Sequence, residues 1–405
     1  MCNVGDDVEE EKAKFMQART TVNLKNSVCV KCRTAKPQVV LQNQYPYCKD
    51  CFLSATVHKF KALLGKNRIA HPNEKVLIYH KTGHASTALL HFLRTGLDLT
   101  TPKKIRFEPI LLFVEGDFKL SVQQRRLILQ QVSEEAQRFG FRINYVCLTQ
   151  YILDSTQLSS LICDKFDDVL IKENDAASIA GIMKKPNVTT QTEIIKLYEQ
   201  RLLVDVAKFL NCKCIFTPDL GIDIASQLLT NVCLGRGEHI VFDTGTVDSR
   251  DSEVTILKPL RNFTIKEIAL YNFFNGLEPV RFLAENVNPY KSIQNLMQKF
   301  VSDLQENYPA TISTIVRTGD KLGVNKNVGE AKCLLCKAPL GTKPDTLSSS
   351  EATNFSHWVS TQTPNCGVSV RDRSKHILEA FNNADYGKYC FSCNQIQPFL
   401  CLREV

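Results

Sequence analysis

Eight of the sixteen cysteines fall into four C-x-x-C pairs. Cys29/Cys32 and Cys48/Cys51 are N-terminal, with fifteen residues between them; Cys333/Cys336 and Cys390/Cys393 are C-terminal, with fifty-three between them. Each such pair presents two thiolates to one ion from a tight turn, and two pairs complete a tetrahedral all-sulfur site. Thiolate-only ligation favours zinc, and less often an iron–sulfur cluster. Two zinc sites are expected, with unpaired thiols or a redox dithiol as the alternative. Cys366 and Cys401 are left over as free or buried thiols, and the C-x-C of Cys212 and Cys214 is not expected to act as a nucleophile.

The charge is concentrated beside the first cysteine set. The chain carries a net +8, of which +6 belongs to residues 1–70, none to residues 71–330 and +2 to residues 331–405. From residue 12 to 70, twelve basic residues face Asp50 alone. Lys31, Arg33, Lys36 and Lys49 flank the knuckles, and Lys59, Lys61, Lys66 and Arg68 follow. A metal-pinned basic module suits a phosphate backbone, and Tyr45 and Tyr47 offer faces on which a base can stack. Lys31, Arg33, Lys36, Lys59, Lys61, Lys66 and Arg68 are therefore the expected RNA-binding residues; a plain solvated cationic surface is the alternative.

The segment Val76–His91 has strand–loop–helix form, which points loop N–H groups and a helix N-terminus toward an anion. Lys81, Thr82, Gly83, His84, Ser86 and Thr87 are its candidate phosphate-contacting residues.

The elements that must hold these groups alternate. Strands are expected at 75–80, 110–114, 141–147, 214–217 and 254–257, and helices at 84–97, 120–139, 159–172, 192–210, 222–233 and 264–274. Alternation of this kind predicts an α/β fold, a doubly wound parallel sheet covered on both faces. The expected organisation is a basic N-terminal zinc ribbon (1–70), an α/β domain (71–325) and a C-terminal four-cysteine zinc module with a polar insert (326–405), with linkers at 66–74, 319–330 and 341–350. The acidic first twelve residues do not read as a signal peptide, and the apolar runs are too short to span a bilayer. A cytoplasmic chain with no membrane partner is expected, where thiols stay reduced and metal binding outweighs disulfides.

The loop at 81–87 resembles the SGGxDS pyrophosphatase loop of the adenine-nucleotide α-hydrolases (PP-loop superfamily) that modify tRNA. Here only Gly83 remains of the glycines, and Ala85 stands where the metal-holding acid belongs. The segment 211–237 resembles the family's acidic turn and GRG loop, with Asp219, Asp223, Gly235, Arg236 and Gly237 in place and Pro218 instead of a glycine. Residues 258–271 are similar to its "RP-L-R…KE-x-x-x-Y" segment, although Thr264 and Glu267 also read as an N-cap with its partner. Where the catalytic members carry a central C-x-x-C, residues 188–193 read VTTQTE. The ordered set resembles the non-catalytic subunits of cytoplasmic wobble-uridine thiolases. That resemblance implies a pseudoenzyme without catalytic residues of its own, paired as a heterodimer with the catalytic tRNA 2-thiolation protein 1. Together they would make mcm5s2U in the Lys, Glu and Gln tRNAs. The partner would adenylate the uracil, and a thiocarboxylated ubiquitin-related modifier would serve as sulfur donor. ATP binding by this chain is not expected. The alternatives are an ATP-dependent sulfurtransferase active by itself and a zinc-dependent protein adaptor without RNA contact.

Overall fold

The computed structural model describes residues 27–41, 45–67, 71–100, 104–118, 120–182, 187–280, 288–322, 332–340 and 389–399, with isolated positions 353, 356 and 357. Its elements in chain order are β1 (Val39–Leu41), β2 (Tyr45–Tyr47), α1 (Lys49–Asn67), β3 (Lys75–His80), α2 (His84–Leu97), β4 (Glu108–Glu115), α3 (Val122–Arg138), β5 (Ile143–Cys147), α4 (Leu148–Leu153) and α5 (Leu158–Leu161). Then follow α6 (Asp175–Ile182), α7 (Val188–Phe209), β6 (Cys214–Phe216), α8 (Gly221–Cys233), α9 (Ile240–Thr244), β7 (Val247–Asp248), β8 (Thr255–Leu257), α10 (Ile265–Phe274), α11 (Ile293–Asn307), α12 (Pro309–Lys321) and α13 (Phe391–Ile396).

Strands β3 to β8 form one six-stranded sheet in the order β5-β4-β3-β6-β8-β7. All neighbours are parallel except β7 against β8. The chain runs outward from β3 through β4 to β5, then returns to the other side of β3 with β6. That reversal opens a crevice at the carboxyl ends of β3 and β6, where ligands of open α/β sheets bind.

Side chains alternate between the faces of each strand. Val76 and Ile78 of β3 join one core with α2, while Leu77 and Tyr79 join a second core with α7. Burial on both faces explains why KVLIYH is a continuous apolar run rather than an alternating one. In α2 the residues Leu89, Leu90, Phe92 and Leu93 are each at most 1% exposed. Each such burial is worth about 1.5–3 kcal/mol, more than the helix gains from its uncapped N-terminus.

The cysteine modules are seated on this frame. Phe52, Phe60 and Leu63 of α1 belong to the same core as Leu89 and Phe92, and the Phe60 and Phe92 rings stack at 4.8 Å. At the other end, Cys333, Leu335, Cys390, Cys393 and Ile396 pack against Ile179 of α6 and Ile194 and Leu197 of α7.

Two expectations are corrected. The stretch 159–172 is one α-helical turn followed by irregular chain with a single 3-10 turn at Phe166–Asp168, because most of its backbone groups are bonded elsewhere. Cys163 exchanges two hydrogen bonds with Tyr145 of β5 (2.8 and 2.9 Å), and Arg126 Nη1 donates to the carbonyls of Phe166 and Asp167. The linkers drawn from 66 and from 319 begin too early, since α1 runs to Asn67 and α12 to Lys321. The linker at 341–350, Cys366, Cys401 and most of the polar insert lie outside the described residues.

Candidate metal centres and cavity

Both cysteine sets converge. In each, the four sulfurs lie within 4.8 Å of one another. The Cys32 and Cys48 sulfurs are 4.0 Å apart and those of Cys336 and Cys390 are 3.7 Å apart. Sulfurs at the corners of a tetrahedron with metal bonds near 2.3 Å are separated by about 3.8 Å, so both sets fit one tetrahedral ion. The two leading knuckles are built alike. The residue after the second cysteine takes a left-handed conformation, Arg33 at φ 58° and Lys337 at φ 57°. Its N–H donates back to the first cysteine's carbonyl, at 2.8 Å to Cys29 and 2.9 Å to Cys333. Sequence reading passed over this feature because glycine is the usual occupant of such a position. Backbone N–H groups also donate to sulfur, Cys390 N to Cys333 Sγ and Cys393 N to Cys390 Sγ, which favours thiolates. Contacts from the Thr34 side chain and the Ala35 and Thr34 backbone lower the Cys32 thiol to about 5, which favours the thiolate form a metal ligand needs.

A cavity of about 430 Å³ fills the crevice between β3 and β6. Lys81, Thr82, Ala85 and Ser86 line it from the loop, Asp219 and Asp223 from the turn after β6, and Lys196 and Glu199 from α7. Gly83 is the N-cap of α2 at φ 100°, a conformation L side chains rarely adopt, so the one surviving glycine stands where the turn requires it. The start of α8 is pressed close to the 258–263 segment: a Cβ on Gly221 would lie 3.0 Å from the Arg261 carbonyl.

The charges in the cavity are internally matched. Lys81 Nζ donates to Asp219 Oδ1 at 3.2 Å, and Thr217 Oγ1 donates to Asp219 Oδ2 at 2.6 Å. Burial raises the Asp219 carboxyl, but Lys81, Thr217 and Lys258 outweigh it and hold the group at about 2. Burial also works against the Lys81 charge, yet Asp219 and Glu199 hold its affinity for the proton above the ordinary value. Asp223 is pushed up by burial and by Asp219. Lys196 and Lys258 are lowered by burial.

The remaining loop residues turn elsewhere. Thr87 Oγ1 donates to Glu135 Oε1 at 2.6 Å beneath the loop, and Asn272 Nδ2 of α10 donates to the His84 carbonyl at 2.9 Å. Ser86 Oγ is buried without a hydrogen-bond partner among the described residues. Sequence reading missed Lys196, Glu199, Asp243, Asp248 and Arg250, all of which line the cavity. Their signal was faint: single charges in helices, a short strand and a loop, brought together only by the fold.

Arg236 of the GRG loop does not reach the cavity. It is 8% exposed; its Nη1 donates to Glu193 Oε2 at 2.5 Å and its Nε to Ser392 Oγ at 2.8 Å. Glu193 ends the VTTQTE stretch, and Ser392 lies inside the Cys390/Cys393 knuckle. A buried ion pair thus occupies the start of α7, and through Arg236 it bolts the second cysteine centre to that helix.

Among the basic candidates, Lys31, Arg33, Lys36 and Lys66 are exposed and Lys61 is half-buried. Lys31 Nζ donates to Ser54 Oγ at 3.3 Å. Lys59 is committed inward, donating to Glu267 Oε1 at 2.8 Å and lying 4.5 Å from the centre of the Phe263 ring. Glu267 in turn completes the capping box of α10 with Thr264. Tyr45 is exposed, Tyr47 packs on the core, and Arg68 lies outside the described residues. Among the described residues no helix is long and apolar enough to cross a membrane.

Comparison with known proteins gives a consistent set of likenesses. A family model described as cytoplasmic tRNA 2-thiolation protein 2 matches residues 292–395. The chain is 32% identical to cytoplasmic tRNA 2-thiolation protein 2 of Aedes aegypti over 351 residues, covering 80% of this chain and 74% of that one. It is 28% identical to cytoplasmic tRNA 2-thiolation protein 2-A of Xenopus laevis over 454 residues, covering 97% and 88%. Among solved structures it is similar in fold to the U34-tRNA thiolase NcsA from Methanococcus maripaludis with its 4Fe-4S cluster. That likeness has a TM-score of 0.53 and 18% identity, covering 78% of this chain and 92% of the other.

Proposed function

The chain belongs to the family of cytoplasmic tRNA 2-thiolation protein 2, and from that premise we propose that it is the non-catalytic subunit of a heterodimeric thiolase acting on the wobble uridine of tRNA in the cytoplasm. The observation that carries this reading is the Glu193–Arg236 pair. At the start of α7, where the resemblance calls for a C-x-x-C, the carboxylate and guanidinium meet at 2.5 Å with 3% and 9% side-chain exposure. A sulfur relay or an iron–sulfur cluster needs thiolates there. The cavity supports the same reading, because Lys81 already neutralises Asp219 and Ala85 offers no metal ligand.

In this reading the partner subunit adenylates and thiolates, drawing sulfur from a ubiquitin-related modifier, while this chain contributes tRNA binding and scaffolding. The three-part division at residues 70 and 325 then has functional meaning: a basic RNA-facing ribbon, a degenerate PP-loop domain, and a second zinc module bolted to it. Zinc at both centres fits their four-thiolate geometry. Lys31, Arg33, Lys36, Lys61 and Lys66 form the RNA surface, whereas Lys59 holds the ribbon to α10.

The test is tRNA binding by the full chain with Lys31, Arg33, Lys36 and Lys61 changed to glutamate. Affinity should fall steeply, with a shallower dependence on salt. Unchanged affinity in a folded variant would remove the RNA role from this module.

A further inference from the structure

Phe273 is 74% exposed, in the last turn of α10. A single exposed phenylalanine is ordinary. This one is distinguished by its mounting. Its ring meets Phe274 edge-on at 5.6 Å, and Phe274 meets Phe52 of α1 in the same way at 5.9 Å. Phe52 is 1% exposed, so the chain of rings is anchored in the core. Lys49 Nζ lies 5.8 Å from the centre of the Phe274 ring, at the first residue of the helix that carries Lys59, Lys61 and Lys66. Lys266, seven residues before Phe273, is exposed on the same face of α10, close to two helical turns away. The exposed ring thus abuts a core-anchored ring that one ammonium group approaches, and it shares its helix face with a second, exposed lysine.

We propose that Phe273 is a stacking platform for one unpaired base of the RNA whose phosphates are held by the basic ribbon. Every base has a π-face, and an aromatic ring fixed next to cations is the arrangement that single-stranded nucleic acid rewards. Single-stranded loops with unstacked bases are where RNA offers such a face; a paired duplex keeps its bases stacked inside. Lys49 at the neighbouring Phe274 ring and Lys266 on the same helix face favour a polyanionic occupant over an apolar protein surface. The proposal rests on the RNA-binding reading given above and adds the base-stacking interaction to it.

The experiment compares the full chain with Phe273→Ala, Phe273→Leu and Phe273→Trp variants. Each is titrated with an unmodified tRNA and with a blunt RNA duplex of similar charge, over a range of salt concentrations. Phe273→Ala and Phe273→Leu should bind tRNA about ten-fold more weakly, within the range of one base–aromatic stack. Their salt slope should be unchanged and their duplex affinity unaltered, while Phe273→Trp keeps wild-type binding. Lys61→Glu and Lys66→Glu should instead weaken both RNAs and lower the slope by about one for each phosphate no longer neutralised. Leucine preserves the apolar packing on Phe274, so wild-type tRNA affinity in Phe273→Leu would overturn the stacking assignment. Wild-type RNA binding in all three Phe273 variants with loss of the partner subunit would assign the face to protein and overturn it as well. If the lysine variants also bind normally, the underlying RNA reading fails; if they alone lose affinity, only the platform does.

Discussion

Replacing Arg236 with alanine removes one side of a buried ion pair and loosens the bolt on the C-terminal centre. The Glu193 carboxylate, 3% exposed, keeps Gln294 Nε2 at 2.8 Å as its remaining described donor, and Ser392 Oγ is deprived of the guanidinium at 2.8 Å. Stranding one member of a buried pair costs about 3–5 kcal/mol, and the charge-assisted hydrogen bond to Ser392 is lost within that figure. Arg236 is 8% exposed, so solvent screening reduces these figures little. The expected loss is about 3–5 kcal/mol in urea unfolding, read as a lower midpoint at unchanged m-value. The double variant Glu193→Ala with Arg236→Ala should recover most of it, because no charge is left buried. A chelator titration of the full chain should show one metal leaving Arg236→Ala faster than the other, the fast one belonging to the module that contains Ser392. An Arg236→Ala protein within about 1 kcal/mol of wild type, releasing both metals at wild-type rates, would refute the structural role assigned to this arginine.

Three further outcomes are expected. Asp219 titrates at about 2, below its ordinary 3.8, so its stabilisation is full above pH 4 and is lost as pH falls toward 2. Asp219→Asn should therefore be about 2 kcal/mol less stable at neutral pH, with the gap to wild type closing in acid; a gap that widens in acid would contradict this. Lys81→Met should create manganese binding in the cavity, detected by paramagnetic relaxation of water, because it removes the ammonium bonded to Asp219 while Asp219 and Asp223 remain; equal binding in wild type would show that Lys81 displaces no cation. Metal analysis of purified chain should find about two zinc ions, and stripping them should destabilise the chain because binding energy at such centres is folding energy. A visible iron–sulfur absorption would contradict the zinc assignment.

Much of the architecture could be read from periodicity. The continuous apolar run at 75–80 and the 3.6-residue spacing at 84–97 match β3 and α2 to the residue. Apolar spacing also located α7 and α8 within a few residues. Local pattern misled at 159–172, where Arg126 and Tyr145 capture the backbone groups a helix would have used. It was also silent on α1, whose Phe52 and Phe60 are buried while the surrounding lysines read as a phosphate-binding or solvated cationic surface. The cysteine centres were legible because their ligands sit in short paired motifs. The cavity wall was not, because Lys196 and Glu199 of α7 and Asp243, Asp248 and Arg250 of the α9–β7 stretch lie far apart in sequence and meet only in the fold. The role of Arg236 is the sharpest case. Its GRG motif was legible only as part of a family resemblance, and the packing of α7 against the C-terminal knuckle reveals an internal partner.

The central claim is that this chain lends surface and shape to chemistry performed by another subunit. ATP–pyrophosphate exchange in the presence of substrate tRNA tests it most directly, measured with the purified chain alone, the intact-loop partner alone, and the two together. The account predicts no exchange by this chain alone and full exchange by the pair, undiminished when Lys81 is changed to methionine. Exchange by the isolated chain that disappears in Lys81→Met would contradict it.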